Sequence, residues 1–466
     1  MFSLKEHNTT VRTEFAAGLT TFMAMAYILM VNAGMFTDIL GGPVSYGAMY
    51  VSTAISAVIG SVLIGLLANL PLAQAPGMGL NAFFVYTICN MMHFSYANTL
   101  VIVLFDGLLF LVLTVAGLRR LIFESIPKPV RAAVSAGIGL FIAFIGLQNT
   151  GLIVNSESTL VDLHSFNIFF GSATWAEVMP IVITVVAVAA IGAMSRKKVR
   201  GAVFWGIIAA AVLYYILGFA TVPGFRDGVF GGGLSLSITE PFRDFFSQCF
   251  LTVFREGFDF SGYIAEYGTG SFITTLITCA LAMCMIDMFD TLGTLYAACT
   301  VSGIAKEDGS IPRMEKAMMA DAIATCCGAF CGTSTVTTFV ESSAGVAEGG
   351  RTGLSALFSA AFFFAAMFFA PLAMLIPSCA TAAALIYVGI LMLGCMQNVD
   401  WGNAEEAVPA FFTVAIMPFA YNISYGIAFG LISYILIKLF AGKVKEINAG
   451  TWVIGILFLL MFLVSR

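Results

Sequence analysis

GTSTVTTFVESSAGVAEGG occupies residues 332–350 of a chain whose neighbouring stretches are almost wholly apolar. Its first nine residues carry no charge, and then Glu341 stands where a membrane helix should be running. A carboxylate at the centre of a bilayer costs ~2.5–3.5 kcal/mol on insertion scales. The Thr- and Gly-rich run before it is poor helix material, since β-branched residues and glycine both lose freedom in a helix. Extended backbone at membrane depth is tolerated only where protein buries it or where it lines a cavity. The stretch is therefore expected to be a short strand leading into a half-helix. Glu341 would lie at the N-terminus of that half-helix, where the macrodipole favours negative charge, facing a cavity rather than lipid.

The surroundings support a membrane setting. The 466 residues are 60% hydrophobic and 10% charged, with a mean hydropathy of +0.97. Soluble domains carry about 25% charged residues, and crossing a bilayer takes ~20 apolar residues. The chain reads as an all-α polytopic membrane protein. A net charge of −5 offers no basic footprint for nucleic acid. Residues 1–14 are polar and no small-residue cleavage site follows the first apolar run, so a cleaved signal peptide is not expected. Cys326, Cys327 and Cys331 lack metal-ligand spacing and histidine partners, and the cysteines read as small buried hydrophobes.

Apolar spans lie near 15–37, 47–68, 77–91, 98–118, 130–148, 175–194 and 202–219. After a polar stretch at 221–268 they resume near 271–300, 317–331, 339–348, 353–376, 380–396, 405–420 and 423–440, with an additional apolar segment at 450–465. The expectation is fourteen transmembrane segments. With a cytoplasmic N-terminus, all Lys and Arg but Arg226, Arg243, Arg255 and Arg466 fall inside, among them Arg119, Arg120, Lys128, Arg131, Lys306, Arg313 and Lys316. Two segments break the helical pattern at corresponding places: the third opens with PLAQAPGMGLNAFF (71–84), the tenth with GTSTVTTFVESS. Asn81 and Glu341 thus sit at matching depths of two repeats, and seven segments per repeat makes the repeats inverted. A matched pair of interrupted segments is the usual pointer to a transporter's midplane binding site.

Apart from acids at the very ends of spans, five carboxylates fall inside apolar spans: Asp106, Asp287, Asp290, Asp321 and Glu341. Asp290, with Thr294 one turn on along the same helix face, is the candidate for a substrate or proton site. Asp287 reads as a helix-packing acid, while Asp106 and Asp321 lack an accompanying backbone irregularity. Asn81 opens the other half-helix and could hydrogen-bond a ligand or bridge the crossing strands. Phe83 and Phe339 flank the two half-helix starts, where a ring could stack on a planar ligand. No histidine lies centrally in a span, which argues against a histidine proton relay and against a membrane-embedded hydrolase or transferase.

TEFAAGLTTFMAMAYILMVNAGM (13–35), QAPGMGLNAFF (74–84), GLQNTGLIV (146–154), FDTLGTL (289–295) and GTSTVTTFVESSAGVAEGGRTGL (332–354) resemble the AzgA-like purine permeases of the nucleobase–cation symporter-2 family. The resemblance runs from about residue 12 to 440. It implies two inverted seven-helix repeats forming core and gate domains, with short strands in segments 3 and 10 that cross near the midplane. On this division, residues 1–125 and 269–377 make the core and residues 126–220 and 378–466 the gate, with 221–268 an extracytoplasmic loop. The family's segment-8 acid falls on Asp290, its segment-10 glutamate on Glu341 and the branch's segment-3 amide on Asn81. Uracil-type relatives place a second polar group one turn after the segment-8 acid, where this chain has Thr294.

The expected function is proton-coupled uptake of purine nucleobases (hypoxanthine, guanine or adenine) by a secondary transporter of the cell membrane, with no cofactor and no enzymatic activity. Glu341, Asp290, Asn81, Phe83, Phe339 and Thr338 are the expected substrate contacts, with Asp290 and Thr294 the proton-coupling pair and no metal. Expected partners are the base and membrane lipid, with a homodimer as the assembly to test and no nucleic acid. The rival readings are a uracil or xanthine permease and an anion carrier or channel of the same architecture. An anion carrier would be expected to present a neutral or basic site.

Overall fold

The computed structural model describes residues 2–117, 125–226, 237–301, 311 and 313–464. Ten helices among these residues are long and apolar enough to cross a membrane. Arg119, Arg120, Lys306 and Arg466, which entered the orientation count, lie outside the described residues.

Helix starts follow ordinary capping chemistry. The Ser45 hydroxyl accepts the Ala48 N–H ahead of α3 (Tyr46–Leu67), and the Ser95 hydroxyl accepts the Asn98 N–H ahead of α5 (Tyr96–Val115). The first apolar span is two helices, α1 (Val11–Met25) and α2 (Tyr27–Thr37), meeting at Ala26. The third span opens as strand β1 (Gln74–Pro76), continues as the short helix α4 (Met78–Ala82) and finishes in a wider π-helical winding over Phe83–Met91. The tenth is strand β4 (Val336–Thr338) followed by a helix of only six residues, Ser342–Ala347. That helix is shorter than the span read at 339–348, because the chain is still extended at Thr338 and turns at Val340–Glu341 before the helix begins; Gly349, at φ +103°, turns the chain away just past its end.

Between these lie α6 (Lys128–Asn149), a hairpin of β2 (Ile153–Ser156) and β3 (Leu160–Leu163), α7 (Trp175–Arg196) and α8 (Ala202–Thr221). Then come α9 (Ser261–Val301), interrupted at Gly268, and α10 (Met314–Cys331). The chain closes with α11 (Gly353–Ala366), α12 (Ser378–Leu393), α13 (Ala404–Phe419), α14 (Ile423–Phe440) and α15 (Ala449–Val464). Residues 237–268, polar in sequence, are largely helical, and the turn at Thr239–Asp244 packs on α3.

One group of helices packs as α1 on α11, α11 on α3, α3 on α10 and α10 on α5; a second packs as α6 on α12 and α13, α13 on α14, and α7 and α8 on α12. Small residues permit the close crossings, as expected where lipid removes any hydrophobic drive between helices. A Cβ on Gly139 of α6 would lie 2.8 Å from the Gly389 carbonyl oxygen of α12, so neither helix tolerates a side chain there. The strand pair belongs to the first group, where β1 packs on α3, and β4 on α10 and α9.

Candidate functional site

β1 and β4 pair antiparallel with Gln74 opposite Thr338, Ala75 opposite Thr337 and Pro76 opposite Val336. The pairing extends at both ends, since the Gly77 N–H donates to Thr335 O at 3.0 Å and the Phe339 N–H to Ala73 O at 3.1 Å. Two segments some 260 positions apart thus satisfy each other's backbone at membrane depth.

The hydroxyls of the Thr/Ser run meet buried polar groups one after another. Thr333 accepts from Asn32 Nδ2 at 3.1 Å, and Ser334 donates to Asn81 Oδ1. Thr335 donates to Asp106 Oδ2 at 2.8 Å, and the Thr337 and Thr291 hydroxyls lie 2.8 Å apart. Thr338 donates to Asp321 Oδ1 at 3.2 Å. Asp321 also accepts from Gln74 Nε2 at 2.8 Å and from Thr291 Oγ1 at 2.7 Å. Asp287 accepts from Thr325 at 3.4 Å. The three aspartates Asp106, Asp287 and Asp321 are fully buried. They tie the strand crossing to α5, α9 and α10; Asp321 has the fullest set of donors, while Asp106 Oδ1 and Asp287 Oδ1 are left without a partner. Among the described residues no group of His, Cys, Asp or Glu is arranged to hold a metal ion.

Two of the sequence-predicted site residues stand apart from this sealed network. Asp290 on α9 and Glu341, which caps the Ser342–Ala347 helix, are both partly exposed. Their elements pack against one another. No salt bridge engages either one among the described residues. Tyr27, at the start of α2, donates its hydroxyl to Glu341 Oε1 at 2.6 Å. The six-residue helix is pinned from below, where a Cβ on Gly345 would run into the Ala17 carbonyl and the Thr21 hydroxyl of α1. The Ser342 hydroxyl meanwhile accepts the Ala73 N–H at 3.0 Å.

The remaining candidates are enclosed. Asn81, Phe83, Thr294, Thr338 and Phe339 expose 6% of their surface or less. Asn81 donates to Pro76 O at 3.3 Å and accepts from Ser334, so in this conformation its amide bridges the two interrupted segments. The hydroxyl of Thr338 is committed to Asp321 and Gln74. Neither Phe83 nor Phe339 offers an open ring face here; both belong to the apolar core. Sequence reasoning missed Tyr27, Gln74 and the bracing by Asp106 and Asp321. The unusual density of threonines at 333–338 was the available signal for the bracing.

Comparisons with known proteins bear on this arrangement. Residues 12–445 match a model described as Permease family. The adenine permease AdeQ of Escherichia coli strain K12 is 36% identical over 465 residues, covering 99% of this chain and 95% of that one. The guanine/hypoxanthine permease PbuG of Bacillus subtilis strain 168 is 36% identical over 470 residues, covering 99% and 98%. Among solved structures, the transmembrane domain of the cyanobacterial bicarbonate transporter BicA superposes with a TM-score of 0.59 at 14% identity, covering 89% of this chain and 97% of that one. That last likeness concerns the fold alone.

Proposed function

We propose, from the premise that this chain belongs to the permease family of the nucleobase–cation symporter-2 type, that it carries purine nucleobases across the membrane as a secondary transporter. The observation that carries the proposal is the pair of partly exposed carboxylates, Asp290 and Glu341, on packed elements beside the sealed strand crossing and without a salt bridge among the described residues. A neutral base with N–H donors on its edges suits two acceptor groups, because carboxylates accept and do not donate. Glu341 takes the ring N–H and exocyclic amine, and Asp290 takes the opposite edge. An anion would be repelled by the same pair, which disfavours the carrier chemistry named for the bicarbonate transporter.

Proton coupling is assigned to Asp290, with Thr294 one turn along the helix. A ligand biases an equilibrium only through differential affinity, so the base must favour one protonation state for exchange to drive uphill movement. Fourteen segments in two inverted repeats, a core of residues 1–125 and 269–377 moving against a gate of 126–220 and 378–466, and a cytoplasmic N-terminus complete the reading. The two packing groups of helices and the distribution of Lys and Arg support it.

The test is uptake of labelled hypoxanthine, guanine, adenine, xanthine and uracil by cells lacking their own base permeases, with and without a protonophore. Saturable purine uptake abolished by the protonophore is expected. Uptake restricted to xanthine or uracil, or none at all, would overturn the substrate reading, and protonophore-insensitive accumulation would overturn the coupling.

A further inference from the structure

Tyr27 is 314 positions from Glu341 in sequence, yet its hydroxyl is the one side-chain donor to that carboxylate among the described residues, at 2.6 Å. The contact exists because the first segment breaks at Ala26. α1 ends at Met25, and α2 restarts at Tyr27 with the ring fully sunk among neighbours. α2 itself packs on α3, on β1 and on α12. The tyrosine is thus held by packed elements on several sides, while Glu341, partly exposed, caps a six-residue helix. A long glutamate side chain there has rotatable bonds to spare. A hydroxyl from a locked ring removes that freedom.

We propose that Tyr27 is a positioning residue that fixes the plane of the Glu341 carboxylate and thereby sets the preference among purines. The inference rests on the reading of Glu341 as a substrate contact. A carboxylate has about four lone-pair sites on two oxygens, so one bond from Tyr27 leaves both oxygens able to accept. Held in one plane, they match two adjacent N–H donors side by side, the fork geometry that makes carboxylate pairing selective. Guanine presents two such donors, N1–H and the exocyclic amine. Hypoxanthine presents only N1–H on that edge, and adenine sets an acceptor, N1, beside its amine. The fixed carboxylate therefore favours guanine over hypoxanthine over adenine. A carboxylate free to rotate still serves one donor well but serves two only part of the time, so loss of the hydroxyl should penalise guanine most.

The experiment measures binding of guanine, hypoxanthine and adenine to purified wild type and Tyr27→Phe, with the melting temperature in detergent confirming that the variant is folded. Wild type should rank the bases in the stated order. In the variant guanine affinity should fall by about tenfold, the worth of one charge-assisted bond, and hypoxanthine affinity by less than threefold. A ratio of guanine to hypoxanthine affinity that stays within twofold of wild type, or a wild type that prefers adenine, would overturn the inference. Replacing Tyr27 with 4-aminophenylalanine keeps the ring and an N–H donor in the same place. It should hold the wild-type ratio, also if the Phe variant does not fold, and a lost ratio there would count against the inference. Glu341→Gln separates the two levels. Undiminished guanine affinity in that variant would remove the site reading itself. Lost affinity there, together with an unchanged ratio in Tyr27→Phe, would sink only the role of Tyr27.

Discussion

The two interrupted segments occupy equivalent places in the pairing, but they are finished differently. From Gln74 to Cys89 the third segment is buried without a gap, and its amide at Asn81 is spent on Pro76 and Ser334. The tenth is just as buried through Phe339 and then opens, with Val340 exposed and Glu341 partly so. One half is thus fully enclosed, and on the proposed function the other supplies the face that meets a ligand. Backbone irregularity alone does not mark a binding residue. It marks where a chain leaves the helix, and the side chains just beyond decide which half does chemistry.

Four substitutions probe that division. The largest effect is expected for Glu341→Gln on the open side. Charge-assisted bonds are worth ~1.5–3 kcal/mol each, and an amide turns one acceptor into a donor facing the base's own donors. Purine affinity should fall by at least ~100-fold while the protein still reaches the membrane, as read by binding to purified protein. Wild-type affinity would make Glu341 part of the support. On the closed side, Asp321→Ala strands the donors of Gln74, Thr291 and Thr338 together. A loss of ~3 kcal/mol or more is expected, visible as a much lower melting temperature in detergent, and an unchanged value would mean that water replaces the carboxylate.

Asp290→Asn tests the open side in another way. The variant should still exchange purine down a gradient in proteoliposomes but should not accumulate it under an imposed pH gradient. Accumulation equal to wild type would place the proton elsewhere. The smallest effect is expected for Asn81→Ala. Loss of a bridge between the two segments should cost ~1–2 kcal/mol of stability, with purine affinity within about threefold of wild type. A hundredfold loss of affinity with an unchanged melting temperature would return Asn81 to the ligand and erase the contrast between the halves.

Much of this arrangement is legible in the chain. Gly, Pro and Thr in PLAQAPGMGLNAFF and GTSTVTTFVESS are poor helix material, so both interruptions are readable, as is the strand before Glu341; the strand of the third segment comes with the family resemblance. The isolated charges at Asp290 and Glu341 stand out against apolar neighbours. The destinations of the threonine hydroxyls are not legible, because Asn32, Asp106, Thr291 and Asp321 reach them from four other helices, and a hydroxyl imposes no periodicity that names its partner. Tyr27 is hidden for the same reason: in AMAYILM it reads as one more apolar residue, and only the break at Ala26 aims it at Glu341. The hairpin at 153–163 escaped because four-residue strands with mostly exposed side chains leave no clear alternation.

The pairing of β1 with β4 also sets an order for biosynthesis. At ~5–20 residues per second, translation delivers Val336 some tens of seconds after Pro76. Throughout that interval the newborn third segment has neither its ladder partner nor the Ser334 hydroxyl that bonds Asn81. A chain cut short before residue 332 would keep Gln74–Pro76 as an unpaired edge with nothing in hydrocarbon to satisfy it. The ladder can close only once Val336–Thr338 has been made, so the third segment's backbone is completed by a strand from the second half of the chain.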